Sequence, residues 1–164
     1  MPVARLHRLT DADVNLAVHV AGGCTARDIA RAPSPYRRTE DARKAVEALL
    51  REAGARTRAQ LAGWMAATGL VTAPERDTEE LRAAPTLFPR LQKILQGLAD
   101  GLTVPEITER LGVSKTSMDG YIGTLYAQLR VRTLEQAVVA GVLTELVTPA
   151  RPGAPERTVS EAAQ

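Results

Sequence analysis

The 164-residue sequence predicts an all-α fold: two tandem four-helix units packed through their fourth helices. Three observations carry this expectation. Thr-x-x-acid and Thr-x-x-Gln boxes recur along the chain, each followed by apolar residues at helical spacing. A phrase in the first half, AGGCTARDI at 21–29, returns as ADGLTVPEI at 99–107, an offset of 78. Each half also ends in a helix with more apolar surface than its own core needs, as in AVVAGVL from Ala137 to Leu143.

In the first half, Thr10 with Asp13 caps a helix to about Gly22, and Thr25 with Asp28 caps the next. Thr39 is expected to cap a long helix to about Ala53, and Thr57 with Gln60 a last one to about Thr68. In the second half the expected helices run over 89–100, 104–111, 115–129 and 134–147. The stretch GLTVPEITERLGVS at 101–114 starts a helix with the Thr103/Glu106 box, ends it at Gly112 and offers Ser114 as the next N-cap. A short helix, a glycine turn and a second capped helix spell helix-turn-helix; an αα-hairpin in any bundle has the same local pattern.

The repeat extends further. Ala55-Arg56-Thr57-Arg58-Ala59-Gln60 matches Val131-Arg132-Thr133-Leu134-Glu135-Gln136 at an offset of 76. The two-residue difference falls where the first half has Arg31-Ala32-Pro33-Ser34-Pro35-Tyr36, a longer turn stiffened by two prolines. The expected units are 1–72 and 85–148, joined by a charged connector at 73–84 and followed by a disordered tail at 149–164.

Composition excludes several function classes. With 45% apolar but 3% aromatic residues, the core is aliphatic. One cysteine, Cys24, rules out an internal disulfide and fits a reducing compartment; it reads as a small buried hydrophobe. No run long enough to span a membrane is present, and the N-terminal stretch lacks a signal peptide's apolar core, so a cytoplasmic, nucleoid-associated protein is expected. No phosphate-binding glycine loop, HExxH or paired-cysteine metal site occurs, so neither catalytic residues, cofactor nor metal is expected.

The second half resembles the LuxR-type (GerE-like) DNA-binding domain of bacterial regulators. The resemblance is carried by Leu87-x-Pro89-Arg90, Ala99-Asp100-Gly101-Leu102-Thr103, Glu106-Ile107, Arg110-Leu111-Gly112-Val113-Ser114, Leu125, Leu129-x-Val131-Arg132 and Gln136-Ala137-Val138. It implies a four-helix unit whose third helix enters the major groove of double-stranded DNA and whose fourth helix pairs two subunits. The first half is recognisable as a diverged version mainly through its partner.

One departure matters. Where the family usually carries Lys or Arg near the start of the third helix, this chain has Asp119, followed by Gly120. An acid facing phosphates is repelled. The matching first-half positions are Arg43 and Lys44, with Arg37 and Arg38 just ahead. Residues 1–72 hold 11 Lys+Arg against 7 Asp+Glu, a balance of +4, whereas 85–148 hold 6 of each. Candidate DNA contacts are therefore Arg37, Arg38, Thr39, Arg43 and Lys44, with Lys115, Thr116 and Ser117 in the second half. A solvated helix face is the bland alternative. Candidate interface residues, for an intramolecular pseudo-dimer or a homodimer, are Trp64, Met65, Val139, Val142 and Leu143. A transcription regulator is the expected function. The rival is an adaptor that binds RNA polymerase or another regulator through a degenerate helix-turn-helix, favoured by Asp119 and the glycines beside it.

Overall fold

The computed structural model describes residues 9–71 and 86–150. Among these residues there are eight helices and no strand. They are α1 (Asp11–Ala21), α2 (Ala26–Arg31), α3 (Thr39–Ala53), α4 (Arg58–Ala67), α5 (Pro89–Ala99), α6 (Val104–Leu111), α7 (Lys115–Leu129) and α8 (Leu134–Leu143). The expected connector, 73–84, lies outside the described residues, as does most of the expected tail.

Local chemistry starts and stops these helices largely as the sequence suggests. Thr10/Asp13, Thr25/Asp28 and Thr103/Glu106 each close a reciprocal capping box, satisfying amides that the first helical turn leaves unpaired. Gly54 and Gly112 end α3 and α6 at φ 72° and 62°, where a side chain would be strained.

Three expectations need correction. Thr39 is not a cap: extended Arg38 occupies that position with no side-chain hydrogen bond, and Thr39 is the first helical residue. The last helix stops at Leu143 rather than at 147. Glu145 turns left-handed at φ 59°, and the amides of Leu146 and Val147 fold back onto the Gly141 carbonyl. The glutamines of the Thr-x-x-Gln boxes do not close their boxes. Gln60 Oε1 accepts from the amide of Arg56, one residue before the cap, and Gln136 does the same with Arg132.

Two aliphatic clusters form the interior. One gathers Leu16, Val20, Ile29, Val46, Leu49, Leu61, Trp64 and Met65; the other gathers Leu91, Ile94, Leu95, Leu98, Ile107, Met118, Leu125 and Val138. Each takes one residue from the other half. Ala59 of α4 belongs to the second cluster, Val139 of α8 to the first, and Val142 packs against both. Helices α4 and α8 lie against each other. Gly63 makes the approach possible, because a Cβ there would sit 2.9 Å from Val138 Cγ1 and 3.3 Å from Pro149 Cβ. Pro149 is buried, and the Trp64 indole N–H donates to the Ala150 carbonyl, so the chain stays packed through the first residues of the expected tail.

Candidate nucleic-acid interface

In the second half, α6, the turn 112–114 and α7 form a compact corner. Ile107, Met118 and Leu125 turn into the core, while Ser114 caps α7 by accepting the Ser117 amide at 3.1 Å. This leaves Lys115, Thr116 and Ser117 exposed together on the first turn of α7, where the helix dipole favours an anion. Further along, Asp119, Gly120, Gly123, Thr124 and Ala127 are exposed, so Lys115 is the only cation α7 itself offers. Residues 85–140 match GerE, the luxR family of bacterial regulatory proteins. No curated protein and no solved structure matches the chain. At family level the match is to a DNA-binding transcription regulator, and it falls on the half that holds this corner.

The first half presents a second, roomier corner. Between α2 and α3 runs the loop 32–38, and Ser34 braces it by donating to the Ile29 carbonyl at 2.7 Å. Arg37, Arg38, Thr39, Arg43 and Lys44 are all exposed around the start of α3. Two of these cations share an acidic partner, however. Arg43 pairs with Glu40 at 2.8 Å and Lys44 lies 4.0 Å from the same carboxylate. The Arg43 hydrogen bond holds the Glu40 carboxyl below its ordinary range, so this acid stays charged. Exposed charges along α3 are three cations (Arg43, Lys44, Arg51) against four acids (Glu40, Asp41, Glu47, Glu52). Arg37 and Arg38 bring α3 and the turn before it to only +1.

Ion pairs that cross between the halves redistribute the remaining charge. Arg56 reaches Glu106 of the luxR-type segment at 2.9 Å, and Arg58 Nε lies 3.2 Å from Glu135. Arg58 also donates to the Cys24 carbonyl. Once these two arginines are set against those two acids, the +4 of residues 1–72 and the zero of 85–148 both become +2. The Glu106 carboxyl is held low first by the Thr103 amide and then by Arg56. A count by segment could not reveal this, because it assigns Arg56 and Arg58 to the half they do not neutralise.

The same crossing region contains polar contacts that sequence patterns missed. Gln60, a buried polar residue, donates from Nε2 to the Asp100 carbonyl at 3.3 Å; Gln136, 76 positions later, donates to the Gly22 carbonyl at 2.9 Å. Glycines make room for both contacts. A Cβ on Gly101 (φ 89°) would lie 2.5 Å from Gln60 Oε1, and one on Gly23 (φ 81°) 2.5 Å from Thr133 Oγ1. The signal available in the sequence was that each Thr-x-x-Gln box pairs with a Gly-containing phrase in the opposite half.

Of the candidate interface residues, Trp64 and Met65 are buried in the first cluster, Val139 joins them from α8, and Val142 touches both clusters. Leu143 is not brought in; it is 36% exposed at the end of α8. Cys24 is half-buried rather than buried, and its thiol is pushed up by burial and then by Asp28, which favours the protonated form. Among the described residues no group of three or more His, Cys, Asp or Glu could hold a metal ion, and no helix is long and apolar enough to cross a membrane.

Proposed function

We propose that this protein is a DNA-binding transcription regulator built from two luxR-type helix-turn-helix units, α1–α4 and α5–α8, paired through α4 and α8 as a pseudo-dimer within one chain. The observation that carries this reading is the reciprocity of the crossing contacts. Gln60 bonds the loop carbonyl after α5, and Gln136 bonds the corresponding carbonyl after α1. Helix boundaries support the same reading: α3 and α7 begin and end 76 residues apart, as do α4 and α8, and α1 and α5 keep an offset of 78. An isologous pairing makes each residue contact its partner's equivalent, which these glutamines approximate. In this reading the DNA contacts are the cationic start of α3 (Arg37, Arg38, Thr39, Arg43, Lys44) and the first turn of α7 (Lys115, Thr116, Ser117), and the role is nucleoid-associated and non-catalytic.

The near-neutral exposed face of α7, with Asp119, Gly120 and Gly123, favours a second reading: an adaptor that binds a polymerase subunit or another regulator. Gel shifts with genomic fragments at two salt concentrations separate the two. A regulator retards some fragments even at the higher salt, where counterions compete. An adaptor retards none at either.

A further inference from the structure

We propose that Arg90, on α5, is a phosphate contact of the α7 surface, held in position by Tyr121. The inference rests on the DNA-binding reading above and adds a residue from outside the helix-turn-helix. After Lys115, α7 contributes no further cation, and Asp119 opposes an approaching phosphate. Arg90 comes from a different helix to the same surface. Its Nη1 donates to the Tyr121 hydroxyl at 3.0 Å, and its Cζ lies 5.7 Å from the centre of the Tyr121 ring. Tyr121 follows Ser117 by four residues and precedes Thr124 by three, so it lies in one helical stripe with these two exposed side chains. The guanidinium therefore sits beside the stripe that would face a groove.

Three features argue for a ligand rather than a packing role. Arg90 is exposed, and among the described residues it has no carboxylate partner. Guanidinium carries five N–H donors in a planar fork suited to phosphate oxygens, and Tyr121 takes one of them. The positions 78 and 76 residues earlier are Ala12 and Ala45, so helices at the same offsets in the first half form without this pair. Arginine held by a tyrosine hydroxyl and ring loses less freedom on binding than a loose lysine would, because the contact already restricts it.

The test uses the full chain and the salt dependence of DNA affinity. Arg90→Gln should reduce the slope of log affinity against log salt by about 0.9, the value of one phosphate. Between about 50 and 200 mM salt, the wild-type advantage should then shrink about 3.5-fold. Arg90→Lys should restore most of the slope. Tyr121→Phe should weaken binding while keeping the slope, since the charge remains and only its placement is lost. Lys93→Gln, removing an exposed cation one turn along α5 from Arg90, should leave the slope unchanged. Trp64 emission and a thermal melt confirm that each variant is folded. A folded Arg90→Gln protein with the wild-type slope overturns the inference while leaving DNA binding intact. If Arg90→Gln does not fold, a Tyr121→Phe protein with undiminished affinity overturns it. Wild-type protein that binds no DNA at low salt overturns the underlying function and this inference with it.

Discussion

Val139 stands on α8 yet packs into the core of the first four helices, so replacing it with aspartate probes the pairing of the halves. The side chain is 8% exposed and is the contribution of α8 to that cluster, beside Trp64 and Met65. Losing the buried valine removes about 1.5–3 kcal/mol of apolar transfer. The carboxylate adds several kcal/mol of desolvation in an aliphatic cluster. The total, about 4–6 kcal/mol, is comparable to the entire stability of many small domains. Val139→Asp should therefore be unfolded or associated at neutral pH, as seen by circular dichroism, sizing chromatography and a red-shifted Trp64 emission. Burial raises a carboxyl's pKa, so the defect should shrink as pH falls and the group enters neutral. Leu143→Asp, four residues on and 36% exposed, should cost about 0.5 kcal/mol or little more. A Val139→Asp protein that melts within about 2 °C of wild type would refute the packing of α8 into the first core.

Three other outcomes are expected. Gly101→Ala should destabilise more than Gly112→Ala: both require left-handed backbone, costing about 1–2 kcal/mol, but only the first collides with Gln60. Equal losses in urea titrations would remove Gln60 from the account. Glu106→Gln should melt below wild type at pH 7, and the gap should close as pH falls through and below the ordinary carboxylate range. The folded carboxyl is depressed below its ordinary value, so its stabilisation is present above that value and disappears as protonation proceeds through the folded one. A gap undiminished at the acid end would place the loss elsewhere. Glu145→Gly should raise stability by up to about 1 kcal/mol, since Glu145 adopts φ 59° where Gly69 makes the matching turn in the first half. A lower melting temperature would mean the Glu145 side chain contributes more than its backbone strain costs.

What the sequence made legible were the features encoded within a few residues. Thr10, Thr25 and Thr103 start helices because their box partners lie three residues on, and Gly54 and Gly112 stop them because only the backbone decides. The luxR-type corner is legible for the same reason, since its apolar spacing and turn are local. What escaped was encoded across distance. Gln60 and Gly101 lie 41 positions apart in the sequence, and the local Thr-x-x-Gln pattern suggested a cap where the side chain in fact crosses to the other half. Arg56 and Arg58 looked like part of a basic first half because their acidic partners, Glu106 and Glu135, lie in the second. Arg90 went unremarked as a contact since its ring partner, Tyr121, lies two helices later. Thr39 failed as a cap because Arg38 already holds the extended conformation before α3.

The most direct test of the paired-unit account is a hydroxyl-radical footprint on a retarded genomic fragment, read together with the mass of the complex. One chain bearing two paired helix-turn-helix units should protect two minor-groove-flanked patches about one helical turn apart, unequally, with a single chain bound per site. The footprint of Arg43→Ala/Lys44→Ala should then fade at one patch, and that of Arg90→Gln at the other. Protection of one patch per chain, or two chains for every pair of patches, would contradict the pseudo-dimer.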